Sequence, residues 1–158
     1  MTLTATRAWC LAGGLCALVL AADQAAKAVV EANLVLGEQV GVLGPLELTL
    51  SHNRGVAFGL AGGGGALLIV VGLAALGVVG YLFAREPTRP WMWLATGLVA
   101  GGALGNLTDR VRADAVTDYI DVLAWPPFNL ADIAISAGVL VLVVLYLRDA
   151  ATAKRADG

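Results

Sequence analysis

Charged side chains are scarce in this sequence. Asp, Glu, Lys and Arg make up only 14% of its 158 residues, whereas ordinary soluble domains contain about 25%. The net charge is −2, and no basic patch is present that would attract a phosphate backbone. We therefore predict no nucleic-acid partner, and the low charge argues against a soluble domain.

Residues that bind metals or act as nucleophiles are also few. The two cysteines, Cys10 and Cys16, lie inside one apolar run, and His52 is the one histidine. This set does not make a tetrahedral zinc site. Ser51 and Ser136 have no evident base beside them. The sequence thus predicts no metal centre and no serine or cysteine nucleophile.

Apolar residues, in contrast, are abundant. They make up 59% of the chain, and the mean hydropathy is +0.81. A membrane-spanning helix needs about 20 such residues. Four stretches predict spans, at about residues 8–26, 66–84, 91–108 and 128–147. The first could alternatively be a cleaved signal peptide, but the polar Asp23 and Lys27 that follow look functional.

One segment between the first two spans has a different pattern. The stretch "LELTLS" alternates apolar and polar residues, which is typical of a half-buried strand. It predicts a small β segment at about residues 34–52, whereas we expect the connection of residues 111–127 to be partly helical. The predicted fold is therefore an all-α integral membrane protein with four transmembrane helices and a small β element on the outer surface. We expect residues 1–158 to form a single membrane-embedded domain.

Basic residues predict the orientation, because cytoplasmic loops carry an excess of Lys and Arg. Six lie on the side of the termini and four on the other: Arg7, Arg85, Arg89, Arg148, Lys154 and Arg155 against Lys27, Arg54, Arg110 and Arg112. We therefore expect a multi-pass protein with both termini in the cytoplasm.

Polar residues gather at the outer ends of the predicted spans. An ionisable residue at membrane depth indicates function by default, because it is costly to desolvate. The set also has structural interpretations: Asp23 with Lys27 as an ion pair, Asn129 as a cap of the fourth helix after Pro126 and Pro127, and a close helix contact. It comprises Asp23, Lys27, Asn53, Arg54, Asn106, Asp109, Arg110, Asn129 and Asp132, with Gly101 and Gly105 as the helix contact.

Two of the acidic residues stand apart from this pattern. Asp118 and Asp132 are fourteen residues apart, and neither has a basic neighbour within one turn. If folding brings them about 4 Å apart, they repel by roughly 4 kcal/mol at an effective dielectric near 20. One proton is then shared near neutral pH, as in aspartic peptidases. Spacing alone leaves Asp109, Asp114 and Asp121 as other possible partners.

Five motifs resemble those of the lipoprotein signal peptidases, or signal peptidase II, which are bacterial aspartic peptidases. They are "DQAAK" at residues 23–27, "NRGVAFGL" at 53–60, "GNLTDR" at 105–110, "VTDYIDV" at 116–122 and "FNLADIAIS" at 128–136. They occur in order around the four predicted spans. The resemblance therefore covers nearly the whole chain.

The resemblance implies an activity and a location. Members remove the signal peptide from diacylglyceryl-modified prolipoproteins and cut N-terminal to the lipidated cysteine. They act near the outer face of the bacterial cytoplasmic membrane and use no metal or organic cofactor. We therefore expect a prolipoprotein substrate, contact with membrane lipid, and a monomeric protein.

The resemblance also implies roles for individual residues. Asp118 and Asp132 match the catalytic pair. The other matching positions shape the site, hold the substrate backbone or support the site: Asn53, Asn106, Arg110 and Asn129 belong to the first two groups, and Asp23, Lys27 and Asp109 to the third.

Two other classes of protein compete with this interpretation. One is a small proton- or ion-translocating protein in which Asp118, Asp132 and Lys27 act as relay groups. The other is a non-catalytic assembly protein whose polar residues only pack helices. Transporters usually carry ionisable groups at mid-membrane, whereas here they lie at one side. The sequence therefore favours the peptidase.

Overall fold

Helices and one four-stranded sheet make up the described part of the protein. The computed structural model describes residues 3–55, 64–123 and 125–156. In chain order the elements are α1 (Ala5–Asn33), β1 (Gln39–Leu43), β2 (Leu46–Asn53), α2 (Gly64–Arg85), α3 (Met92–Ala113), β3 (Val116–Val122), β4 (Trp125–Phe128) and α4 (Leu130–Ala156).

Three helices in the described residues are long and apolar enough to cross a membrane. They comprise Ala5–Asn33, Ala66–Arg85 and Leu130–Thr152. The predicted spans at about 8–26, 66–84 and 128–147 lie on these helices, although α4 begins two residues later and continues to Ala156. The protein is thus a mostly helical membrane protein with a small antiparallel sheet.

Helix α3 is not among these three candidates, although the sequence predicts a span at about 91–108. The helix packs against α1, α2 and α4. Its buried positions include four glycines, at 97, 101, 102 and 105. A helix surrounded by other helices needs small residues for close approach. Those glycines lower the hydropathy of α3 while they place it at the centre of the helical packing.

The glycines bring α3 close to α1 and α4. A Cβ added at Gly101 would lie 2.7 Å from Cβ of Val19 on α1. A Cβ at Gly102 would collide with the carbonyl oxygen of Ala131 on α4, and one at Gly105 would crowd a side chain of α1. The close helix packing predicted at Gly101 and Gly105 is therefore confirmed.

The sheet has the order β1-β2-β3-β4, and all neighbouring strands are antiparallel. Strand β2 pairs with β3 so that Ser51 stands opposite Asp118, with a shift of register between Leu48 and Ser51. The β segment predicted at about 34–52 is therefore confirmed as β1 and β2. The pairing of β2 with β3 therefore sets the position of Asp118 relative to the helices.

The expectation that residues 111–127 are partly helical is largely wrong, because β3 and most of β4 lie there. Helix α3 does extend to Ala113, but β3 begins at Val116. Its sequence "VTDYIDV" is rich in β-branched and aromatic residues, which favour a pleated and half-buried surface. Pro126 and Pro127 lie in β4, an edge strand, where missing backbone donors are tolerated.

A small apolar cluster joins the sheet to the helices. Val30 of α1, Leu50 of β2 and Tyr119 of β3 are buried together. Beside them, Thr117 Oγ1 donates a hydrogen bond of 2.6 Å to Glu31 Oε1 at the end of α1. Strand β3 is therefore held against α1 by both apolar and polar contacts.

We predict that Gly101→Ala destabilises the protein, because its methyl group would overlap Val19. Overpacking of this kind costs about 1–3 kcal/mol. Gly77→Ala on α2 is the matched control, because a Cβ there has nothing within 4 Å. Thermal unfolding in detergent should show a lower midpoint for Gly101→Ala only. Equal midpoints for the two variants would contradict the close packing.

Candidate active site

The start of α4 is built by a reciprocal cap between Asn129 and Asp132. The backbone N–H of Asp132 donates to Asn129 Oδ1 (3.0 Å), and the backbone N–H of Asn129 donates to Asp132 Oδ2 (3.2 Å). This is the arrangement of a capping box. The predicted capping role of Asn129 is confirmed, and the cap fixes the Asp132 carboxylate at the helix N-terminus.

Asn129 also contacts the second acidic residue. Its Nδ2 donates to Asp118 Oδ1 at 2.7 Å, and its side chain is fully buried. Asn106 of α3 completes the connection, because its Nδ2 donates to Asp132 Oδ1 at 2.8 Å and its Oδ1 accepts from Asn129 Nδ2 at 3.1 Å. The fold therefore brings Asp118 and Asp132 into one hydrogen-bonded cluster.

Asn53, the last residue of β2, holds the other oxygen of Asp118. Its Nδ2 donates to Asp118 Oδ2 at 3.0 Å, while its Oδ1 accepts from the backbone N–H of Gly55 at 2.9 Å. Gly55 has a φ of +78°, a conformation that favours glycine. The turn after β2 thus aims the amide group of Asn53 at Asp118. Residues 56–60 of this motif lie outside the described residues.

The Asp118 carboxyl is almost completely buried, at 2% exposure. Burial raises its pKa to about 6, hydrogen bonds from Asn53 and Asn129 act in the opposite direction, and the nearby Asp132 charge adds to the rise. Burial acts most strongly because a low-dielectric environment disfavours the charged form. Asp118 is therefore poised to hold a proton at mildly acidic pH.

A buried ionic cluster lies behind the two acidic residues. Lys27 Nζ lies 2.8 Å from Asp23 Oδ2 and 2.6 Å from Asp109 Oδ2, and it also donates to Asn106 Oδ1 at 3.1 Å. Lysine can only donate hydrogen bonds. Lys27 therefore orients the oxygen of Asn106 towards itself and the amide nitrogen towards Asp132.

Asp23 connects this ionic cluster to α4. Its Oδ1 accepts from the backbone N–H of Ala131 at 3.0 Å. The hydroxyl of Tyr119 accepts from the backbone N–H of Leu130 at 3.3 Å. Together with the Asn129 cap, these contacts satisfy the first three free N–H groups of α4, which would otherwise be buried without partners.

Arg110 lies on the last turns of α3 and contacts this cluster through the backbone of Asn106. Its NH1 donates to the backbone oxygen of Asn106 at 3.3 Å. Among the residues that the structure describes, no ion pair involves Arg110, although the charges of Asp132 and Asp118 act on it. It is a nearby cation that is available to a substrate.

An apolar cavity of about 440 Å³ opens at Asp132. Trp125 and Phe128 of β4 form one wall, and Ile133, Ala137 and Leu140 of α4 form another. Ser136 and Asp132 supply the polar part of the lining. The cavity can therefore receive an apolar group next to the carboxylate of Asp132. In the described part of the chain, no group of three or more His, Cys, Asp or Glu residues is placed to hold a metal ion.

All nine site residues that the family resemblance implies, Asp118 and Asp132 among them, lie in this cluster or at its border. Sequence reasoning missed three participants. Gln24 donates to Asp109 Oδ1 at 2.8 Å, Tyr119 accepts from α4, and Thr117 donates its backbone N–H to Asp109 Oδ2 at 3.4 Å. Each lies within a motif quoted above and next to a selected acidic residue, which is the signal that could have identified it.

Known proteins resemble this chain over most of its length. The family model for signal peptidase (SPase) II matches residues 15–148. A lipoprotein signal peptidase of Pelotomaculum thermopropionicum is 43% identical over 84% of this chain and 89% of its own length. One of Rhodococcus jostii is 41% identical over 82% of this chain and 69% of its own length.

A solved structure agrees with these matches. A bacterial membrane enzyme determined by the in meso method at 1.9 Å resolution superposes with a TM-score of 0.80. It has 28% sequence identity, and the match covers 85% of this chain and 91% of that one. Sequence and fold thus agree, and the chain belongs to the signal peptidase II family.

Proposed function

We propose that this protein removes the signal peptide from diacylglyceryl-modified prolipoproteins, with Asp118 and Asp132 as its catalytic pair. Membership of the signal peptidase II family supports the activity and its substrate class. One observation carries the assignment of residues. Asn129 donates hydrogen bonds to both carboxylates, which places them in one site beside an apolar cavity.

The environments of the two carboxyls suggest different roles. Asp118 is buried, and its pKa is raised to about 6. Asp132 lies in the first turn of α4 and lines the apolar cavity, where water and substrate can reach it. Asp118 therefore holds the proton, and Asp132 is the base. This division of roles between two carboxyls is the general pattern of aspartic peptidases.

The reaction then proceeds in two proton-balanced steps. Asp132 takes a proton from water as the water oxygen attacks the carbonyl carbon before the cysteine, and Asp118 gives its proton to the carbonyl oxygen. In the second step Asp132 passes its proton to the leaving nitrogen as the C–N bond breaks, and a hydroxyl of the intermediate returns a proton to Asp118. The pair ends with the same single proton.

The two carboxyls differ in their access to substrate. Asp132 lines the apolar cavity, whereas Asp118 is covered by Asn53 and Asn129. When a scissile bond binds at Asp132, the cover formed by Asn53 and Asn129 must therefore open. Only then can the proton of Asp118 reach the carbonyl oxygen. The apolar cavity receives the part of the signal peptide that precedes the cysteine. Its exposed wall on α4 allows entry from the lipid.

The positions of the polar groups support a topology with four spans, α3 included. Asp23 and Asn106 lie towards the ends of α1 and α3, whereas Asp132 lies at the start of α4. These three ends meet at one side of the helical packing, which we assign to the outer face of the cytoplasmic membrane. Both termini are then cytoplasmic, and the single domain acts as a monomer in contact with lipid. Asp132 lies just inside its span because the scissile bond lies at that depth.

Ion translocation finds less support. The buried charged groups cluster at one end of the helices, and the middle of each predicted span is uncharged. A relay across the membrane needs ionisable groups at mid-depth. The peptidase is therefore the function that the geometry supports best.

We predict that Asp118→Asn and Asp132→Asn each abolish cleavage. Each variant removes a group that must carry a proton, and loss of such a unit typically lowers rates by about 10⁴-fold or more. The assay is cleavage of a purified diacylglyceryl-modified prolipoprotein, read on a gel. Asp114→Asn is the matched control, because Asp114 is exposed and asparagine tolerates its φ of 55°. Full activity of Asp132→Asn would refute the catalytic pair.

We predict that kcat/KM falls above about pH 6, where Asp118 loses its proton. The sign follows from the raised pKa of Asp118, since a carboxyl whose pKa is raised to about 6 is protonated below that pH and charged above it. One lost proton gives a tenfold fall per pH unit. The measurement is a pH profile at low substrate concentration. A rise of kcat/KM through pH 6 would instead make Asp118 an ionised base.

We predict that Lys27→Met destabilises the protein by about 3 kcal/mol or more, because it leaves two buried carboxylates without their cation. At temperatures below the unfolding midpoint, the rate of cleavage should also be lower than in the wild type, because Asn106 loses the donor that orients it. The double variant Lys27→Met/Asp109→Asn should recover part of the stability, because one of the unpaired charges is removed. Thermal unfolding and cleavage assays measure both effects. An unchanged midpoint for Lys27→Met would contradict this role.

A further inference from the structure

A second cavity, of about 690 Å³, lies over the sheet and differs in chemistry from the apolar cavity. Its lining includes Gln39, Ser51, His52, Arg54, Asp121 and Pro127. Three of these side chains can carry charge, whereas among the described residues Asp132 is the one ionisable group that lines the apolar cavity. We call this second space the polar cavity.

The polar cavity borders the catalytic pair along β2. Ser51 stands opposite Asp118 in the pairing of β2 with β3. Arg54 follows Asn53, whose amide donates to Asp118. On β4 the neighbouring residues Pro127 and Phe128 line the polar and the apolar cavity respectively. Because successive strand residues point to opposite faces, the two cavities lie on either side of the edge strand β4, and a chain that crosses this edge beside Asp132 reaches both.

The proposed substrate has two halves of opposite character, and this step rests on the proposed function. The residues before the cut belong to an apolar signal peptide, and those after the lipidated cysteine begin a water-exposed protein. Polar groups placed in an apolar cavity without partners are strongly disfavoured. Polarity therefore fixes the direction of the bound chain, with the signal peptide in the apolar cavity.

We propose that the polar cavity binds the first residues of the mature lipoprotein, and that Arg54 makes the site prefer acidic side chains directly after the cysteine. Asp121 already accepts a hydrogen bond of 3.1 Å from Gln39 Nε2. Across residues 3–55, 64–123 and 125–156, no ion pair includes Arg54, and its side chain is exposed. It is an exposed cation in the polar cavity, directly after Asn53 in the chain, and a substrate carboxylate can pair with it.

The preference is expected to be modest. Exposed ion pairs change equilibria by about 1.4- to 5-fold and weaken as salt screens them. Two lipidated prolipoproteins test the effect, with the same signal peptide and cysteine but either two aspartates or two lysines after the cysteine. The wild-type protein should cleave the aspartate substrate with a kcat/KM about two- to fivefold higher, and high salt should reduce that ratio.

The variants Arg54→Glu and Arg54→Gln separate charge from other effects. Arg54→Glu should reverse the ratio of the two kcat/KM values, and Arg54→Gln should bring it close to one. Arg85→Glu is the matched control, because Arg85 is also exposed but lies at the far end of α2. Its ratio should equal that of the wild type. Thermal unfolding checks that each variant is folded.

The outcomes distinguish this inference from the proposed function. A wild-type ratio near one, or the wild-type ratio in either Arg54 variant, overturns the role of Arg54 while cleavage itself stands. If Arg54→Glu cleaves neither substrate, the ratio in Arg54→Gln decides. Failure of the wild-type protein to cleave either lipidated substrate would overturn the proposed function instead.

Discussion

The ion cluster of Lys27 with Asp23 and Asp109 is the interaction on which the polar end of the helical packing depends. Asp23 belongs to α1, Asp109 belongs to α3, and Asp23 also accepts from the start of α4. One buried cation thereby joins three helices. Two buried carboxylates would repel strongly without it, and a buried ion pair is stable only when its remaining hydrogen bonds are satisfied. Gln24 and Asn106 provide those bonds.

This ion cluster also sets the orientation of the side chains around the proposed catalytic pair. A lysine has donors only, so the oxygen of Asn106 must face Lys27 and its nitrogen must face Asp132. The cap of α4 then fixes Asp132 relative to Asn129, whose amide reaches Asp118. In the proposed reaction this network holds the two carboxyls in one site in advance, which is a general source of catalytic rate, and only the cover of Asp118 by Asn53 and Asn129 must move. Lys27 therefore both compensates the buried carboxylates and fixes the direction of the Asn106 amide.

Much of this site could be predicted from the sequence, and the missed parts share a physical cause. The capping role of Asn129 follows from Pro126 and Pro127 before an apolar helix, and that prediction is confirmed. The strand β3 was missed because its alternation is short and its partner β2 lies about 65 residues earlier, as the contact between Asn53 and Asp118 indicates. Pairing over such a distance is a tertiary effect that local patterns do not contain. The sequence did predict α3, and its lower hydropathy has a similar tertiary origin, because its small residues pack against α1, α2 and α4.

The bilayer explains why so many polar side chains are confined to one end of the helices. A peptide bond can be hydrolysed only where water is present, yet the proposed substrate is held by apolar groups. In the proposed topology both conditions are met at the membrane surface, where α4 begins at Leu130, carries Asp132 in its first turn and continues uncharged to Leu147. A carboxylate deeper in the helix would lack water, and its desolvation would cost several kcal/mol. A carboxylate on the sheet alone would lack the apolar wall of α4. The start of α4 satisfies both needs, because the backbone N–H of Asn129 donates to Asp132 there and the apolar wall of α4 begins beside it.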